Sequence, residues 1–266
     1  SSRIFRMNTP RSFRAEAVVL NHQDWGEADR LVTLYTRQRG KLRAVVKGAR
    51  KTRSRKGGHM QPFTHVSLQL ATARGPFIIT QVETINAFGA IGEDLTLTGQ
   101  AAYLVELLQR FSYDEEESNP AIFRLLIESL ERLASGHEPW LVARYYEMRL
   151  LDYLGFRPQL QTCIHCGTKI EPEDQFFSGN EGGVVCPDCA TPHAAIRPIK
   201  METLKYLRHF QRSSYNEARR ADPNENIRAQ LEALMQFYLT YLLERGLNSP
   251  RFIRDVERGK PDALKT

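Results

Sequence analysis

The chain has no long hydrophobic run. Nowhere in its 266 residues do the roughly 18–20 consecutive apolar side chains of a bilayer span occur. The basic opening stretch SSRIFRMNTPRSFR is not followed by an apolar segment of signal-peptide length. These absences lead us to expect a cytoplasmic protein with no membrane partner. Cysteine is scarce, with four residues in all, and in a reducing compartment two close pairs favour a metal over disulfides. The common catalytic signatures are also missing. There is no GxxxxGK[ST] phosphate loop, no HExxH, no GxSxG and no pair of carboxylates that stands out as an acid–base couple. Gly57 and Gly58 read as a loop feature. Asp24, Glu27, Asp29 and Glu83, which could in principle take Mg²⁺, read as turn and surface residues. None of these features marks a catalytic site.

Hydrophobic residues at 41% and charged residues at 26% are ordinary for a globular chain, so a sizeable core can form. The charge is unevenly distributed. Residues 1–84 hold sixteen basic against five acidic side chains, a net of +11, and residues 85–266 hold twenty-one against twenty-six, a net of −5. A basic head on an acidic body points to a polyanion-binding face in the N-terminal part.

That part reads as five short strands, over residues 15–21, 28–36, 41–48, 62–71 and 76–83, with Gly or Pro at the junctions. Such a pattern predicts a small antiparallel barrel or sandwich. Within the second segment Leu31, Thr33 and Tyr35 alternate with Arg30, Val32 and Leu34. Helical periodicity takes over from about Ile91 to Phe111, then over 121–135, 138–154, 201–212 and 224–245. The apolar stripes of these helices read as core. Residues 157–193 lose the helical period and gain Gly, Pro and Cys, as expected of an insert held by something other than a large core.

The insert carries Cys163-x2-Cys166 and, nineteen residues on, Cys186-x2-Cys189. Each CxxC forms a tight turn that aims two sulfurs at one centre, and two such turns complete a closed four-sulfur site suited to structural Zn²⁺. Four thiolates would also suit an Fe–S cluster, whereas a catalytic zinc would need an open position. His165 and His193 lie beside the pairs and read as bystanders. The other chemically marked segment is basic. Lys41, Arg43, Lys47, Arg50, Lys51, Arg53, Arg55 and Lys56 fall within sixteen residues, with Arg37 and Arg39 just before them. Lys41, Arg43 and Lys47 alternate and should share a strand face. The run GARKTRSRKGG, with no apolar side chain larger than Ala, should be a flexible loop able to follow a phosphate backbone. Tyr35, Phe63 and Phe77 are candidate base-stacking aromatics, though each reads more readily as core. Charge of this kind predicts salt-sensitive nucleic-acid binding with little sequence preference, the alternative being a solvated loop or one that binds an acidic protein partner.

Several longer runs are similar to one known family. AEAVVL at 15–20, GEADRL at 26–31, GKLRAVVKGAR at 40–50 and QPF at 61–63 resemble the N-terminal domain of the bacterial DNA repair family RecO. RYYEMRLLDYLGF at 144–156, with Pro158, Leu160 and Cys163-x2-Cys166-Gly167, resembles that family's helix-to-zinc junction. The likeness spans about residues 13–250. It implies an α+β multidomain protein: an OB-fold barrel over residues 1–84, a helical domain from 85–156 and 194–250, a four-cysteine zinc-finger insert over 157–193 and a tail over 251–266. It implies a recombination mediator that binds single- and double-stranded DNA, anneals complementary strands, and works with RecR, often with RecF, and with single-strand-binding protein to place RecA on DNA. The DNA-binding positions it carries over are Arg30, Arg37, Arg39, Lys41, Arg43, Lys47 and Arg50; Lys51, Arg53, Arg55 and Lys56 match by composition alone. The acidic tail of single-strand-binding protein would meet the helical region, near Arg124, Arg132 or Arg144. Two other readings are a zinc-ribbon enzyme that processes nucleic acid and a scaffold that binds acidic tails. A nucleoid-associated place in the cytoplasm follows from the leading one.

Overall fold

A computed structural model of the chain describes residues 12–50, 55–114, 118–191 and 196–257. The N-terminal strands are β1 (Ser12–Trp25), β2 (Asp29–Thr36) and β3 (Gly40–Val46), then a short helix α1 (Arg55–His59), then β4 (His65–Ala71) and β5 (Phe77–Asn86). They close into a barrel in the order β1-β2-β3-β5-β4, with every pairing antiparallel except the short parallel one between β3 and β5. This is the strand order of an OB-type barrel and resolves the choice between barrel and sandwich. Alternation fills the interior: Val19, Val32, Leu34, Leu42, Val66 and Leu68 point inward and are buried. The outward partners Leu31, Tyr35 and Val45 are buried as well. The sheet therefore has cover on its outer side, as where the His65 ring lies edge-on to Phe123 at 5.9 Å.

The expected loop over 48–58 is in part a helix. α1 holds Lys56, Gly57 and Gly58, and Met60 just beyond it enters the barrel core. Gly57 is needed there because a Cβ would collide with the Ala49 carbonyl oxygen. Gly57 therefore serves a close backbone approach, which composition alone does not reveal.

Helices α2 (Gly89–Glu93) and α3 (Leu95–Phe111) divide the first predicted helix at Asp94. The Asp94 carboxylate accepts hydrogen bonds from the backbone N–H groups of Thr96 and Leu97 at 2.7 and 3.1 Å, an N-cap that starts a new helix. α4 (Pro120–Ala134) is capped by Asn119, and α5 (Pro139–Tyr153) follows. Residues 1–143 and 144–266 form two compact units. The first joins the barrel with α2–α4, a different partition from a helical domain built of 85–156 and 194–250.

In the second unit β6 (Gln175–Ser178) pairs with β7 (Gly183–Val185) on one side and with β8 (Ile196–Ile199) on the other. The sheet thus recruits a strand beyond residue 193. α6 (Met201–Arg212), α7 (Tyr215–Ala218) and the long α8 (Glu225–Glu257) complete the unit. α6 lacks a cap of its own. Asp174 supplies it from 27 residues away, accepting from the Met201 N–H at 3.0 Å and from Lys200 Nζ at 2.7 Å. No helix among the described residues is long and apolar enough to cross a membrane.

Candidate nucleic-acid face and metal centre

The predicted cations fall into two groups at opposite ends of the β2–β3 hairpin. Six to seven residues at about 3.3 Å each, roughly 20 Å, separate them. At the β2–β3 turn, Arg37 pairs with Glu16 at 3.3 Å, and the Arg39 guanidinium lies over the Phe13 ring at 4.1 Å. Arg43 projects outward from β3 and meets Asp114 at 3.2 Å. Lys41, on the same outer face, is only 15% exposed. Its ammonium donates to the Gln109 and Ser112 carbonyls at the end of α3 and lies 3.4 Å from Asp114. Lys41 therefore ties a helix terminus to the barrel: alternation gives its face, while a helix about 70 residues away engages its charge.

The second group gathers where the β1–β2 turn approaches the end of β3. Asp24 lies 3.9 Å from Arg30 and 3.5 Å from Arg50, and Asp29 lies 2.7 Å from Lys47. Arg50 also donates to the Gly26 and Glu27 carbonyls at 3.2 and 3.3 Å. Lys47 is 60% exposed and stands just past the end of β3 rather than within it. Lys56 sits on α1 and is half-buried. Lys51 and Arg53 lie outside the described residues, as does the side chain of Arg55. Asp24 and Asp29, weighed as Mg²⁺ ligands, are thus partners of these cations. Among the aromatic candidates Tyr35 is buried, Phe77 packs edge-on to Phe13 at 5.4 Å, and Phe63 is partly buried. The residue that sequence reasoning passed over is Trp25 at the hairpin tip, 44% exposed. Its signal was a tryptophan directly before the turn glycine in DWGEAD.

The four cysteines converge. Their sulfurs all lie within 4.8 Å of one another, and those of Cys166 and Cys186 are 3.8 Å apart, so the cluster could hold a metal ion. Gly167, with φ of +74°, turns the chain after the first pair, where its N–H donates to the Cys163 carbonyl at 2.9 Å. A 3-10 turn at Pro187–Cys189 shapes the second pair. The sulfurs are electrostatically unequal. Burial raises the Cys163 thiol, but the backbone N–H groups of Cys166, Cys186 and His165 outweigh it and bring its pKa to about 6. Cys189 is pushed up to about 12, chiefly by the adjacent sulfurs of Cys186 and Cys166. Such a set gives up its protons unequally, Cys163 most readily and Cys189 only where a cation compensates its charge. His165 pairs with Glu181 at 2.8 Å, a contact that raises its pKa, and is not part of the cluster. His193 lies outside the described residues.

The arginines named for an acidic tail are differently placed. Arg144 is buried against Glu147 at 2.7 Å, Arg132 pairs with Glu128 at 2.9 Å, and Arg124 is exposed. A cavity of about 750 Å³ beside α6 and α7 is lined by Lys205, His209, Arg212 and Arg220 together with Tyr206, Ser213, Glu217 and Ala221.

Comparison with known proteins agrees with this architecture. The family model "Recombination protein O N terminal" matches residues 7–88, and "Recombination protein O C terminal" matches 92–251. A protein of Roseiflexus sp. named DNA repair protein RecO is 38% identical over 248 residues, covering 93% of this chain and 87% of the relative. Proteins of the same name from Nocardioides sp. and Bacillus subtilis are 37% and 32% identical, covering 91% and 93% of this chain and 98% and 96% of the relatives. Both family models and these full-length similarities place the chain in one group: it belongs to the recombination protein O family, RecO.

Proposed function

We propose that this chain is a recombination mediator in DNA repair. It binds single- and double-stranded DNA without sequence preference, anneals complementary strands, and, with RecR and RecF, helps load RecA on DNA coated with single-strand-binding protein. It performs no bond-making chemistry and works in the cytoplasm at the nucleoid. The observation that carries this reading is the cluster of Arg30, Lys47 and Arg50 on an OB-type barrel, at the point where the basic stretch 51–56 begins. Lys47 and Arg50 are each held by a carboxylate at the surface, while Arg30 is partly buried beside Asp24. Such exposed pairs are worth only about 0–1 kcal/mol, so a phosphate can replace the carboxylate at little cost while the pair keeps the cation in place beforehand. Binding of this kind is driven by counterion release, which screens the repulsion between two strands and leaves their bases free to pair.

The four cysteines hold structural zinc in this reading. A zinc tetrahedron with Zn–S bonds of about 2.3 Å has sulfur–sulfur edges of about 3.8 Å, which the spacing of Cys166 and Cys186 matches. Zinc supplies charge neutralisation and a cross-link there, while the chain supplies the two turns that present the sulfurs. The cationic cavity beside α6 suits the acidic tail of single-strand-binding protein.

Replacing Arg50, Lys51, Arg53 and Arg55 together by Ala tests the DNA assignment. Titration of labelled oligonucleotides across a salt series is expected to show weaker binding. The slope of log affinity against log salt should fall by about 0.7 per lost contact on single strands. Unchanged affinity and slope in low salt would remove the barrel's basic end from the reading.

A further inference from the structure

The indole of Trp25 stands outside the core, in the company of cations. Trp25 is the cross-strand partner of Asp29, and directly paired residues present their side chains on one face of a sheet. The Asp29 carboxylate holds Lys47 Nζ at 2.7 Å, which brings that ammonium to the same face, about two strand spacings or 10 Å from Trp25. The turn that follows Trp25 is braced. Arg50 donates to its Gly26 and Glu27 carbonyls and pairs with Asp24, the residue preceding the indole. Among the described residues, β1 pairs with β2 alone beyond Asn21, since its ladder with β4 ends at Val18. The result is an apolar ring of high π-area, 44% exposed, mounted on a cation-braced hairpin arm within reach of one further ammonium.

We infer that Trp25 is a stacking platform for one unpaired base, with Lys47 taking a flanking phosphate, and that it gives the barrel a preference for single over double strands. This rests on the DNA-binding reading above and adds the group that distinguishes the two forms. A duplex has its base faces stacked on one another and offers only phosphates to such a site. A single strand can turn one face onto the indole, and any base will serve, because every base has a π-face. The cations serve both forms alike; the ring serves only one.

The full-length chain with Trp25→Ala, and separately with Trp25→Phe, should be titrated against an unstructured oligonucleotide and a blunt duplex of equal length across a salt series. Stacking is worth about 1–3 kcal/mol per base, which converts to roughly a 5- to 150-fold loss of single-strand affinity for Trp25→Ala. Duplex affinity should stay within about twofold. The salt slope should not move, because no phosphate contact is removed. Trp25→Phe should recover most of the loss. Single-strand affinity unchanged by Trp25→Ala, or an equal loss on both forms that Trp25→Phe does not repair, overturns the stacking role alone. A wild-type chain that binds neither form in a salt-dependent way overturns the DNA-binding reading along with it.

Discussion

At the scale of single residues, two lysines on or near one strand have opposite duties. Lys41 is 15% exposed and its ammonium is shared among two carbonyls at the end of α3 and Asp114, whereas Lys47 is 60% exposed and, among the described residues, held by Asp29. Hydrogen bonds from a charged donor to partly buried acceptors contribute about 1.5–3 kcal/mol. Lys41→Ala is therefore expected to lower stability by about 1–3 kcal/mol in urea titration while leaving the salt slope of DNA binding where it was. Lys47→Ala should do the reverse. The sequence carries half of this distinction. Alternation puts Lys41 and Arg43 on one face, but nothing near Lys41 announces that Gln109, Ser112 and Asp114 will arrive beside it. Trp25 escapes sequence reasoning for a related cause. A single tryptophan in a turn has no periodicity, and only its exposure in the fold separates it from a core residue.

At the scale of elements, legibility follows from how each one is held. All five barrel strands are readable because β-rich alternation and Gly or Pro junctions mark them locally. α1 is not, since its sequence RKGGH has no apolar period and depends on Gly57 lying against Ala49. β8 is hidden because IRPI is short and contains proline; it is a strand only because β6 offers an edge. The cysteine pairs are legible because their spacing is itself the local geometry. From that geometry a metal-removal result follows. Stripping the metal with a chelator should first speed amide exchange within residues 163–189 and leave the barrel strands protected. Reloading should release protons, because Cys163, near 6, is already largely ionised at neutral pH whereas Cys189, near 12, must be deprotonated. Apparent affinity for zinc should accordingly fall as pH drops from about 8 to 6, measurable by competition with a chromogenic chelator.

At the scale of the whole molecule, the charge asymmetry of the sequence is the most informative single property, and the structure qualifies it. Among the described residues that contribute to the +11 of the first 84, the cations at the two ends of the β2–β3 hairpin are mostly held by carboxylates. Residues 144–266 carry a different electrostatic dependence. Asp174 is lowered chiefly by its hydrogen bond with Lys200, and Glu217 chiefly by the Ser214 backbone N–H. Both carboxylates have folded pKa values below their unfolded ones. The stability they contribute is thus fully present above the ordinary carboxylate range, about pH 4, and is lost as pH falls through the lowered folded values. Circular dichroism across an acid titration should show that Asp174→Asn with Glu217→Gln is less stable at pH 7 and changes less below about pH 4 than the parent. The closure of the barrel has a mechanical corollary. β1, β2 and β3 follow one another through tight turns, whereas β3 meets β5 over only two residue pairs, Ala44 with Phe77 and Val45 with Ile78. That seam joins segments more than thirty positions apart through the fewest rungs of the circle. With so few rungs, this seam is expected to open more readily than the other ladders of the barrel, which faster amide exchange at Val45 and Ile78 would show. When it parts, the two lips it bares are unsatisfied strand edges, and Lys47 follows directly from one of them, so breathing at this seam would loosen that end of β3 while the β1–β2 hairpin stays paired.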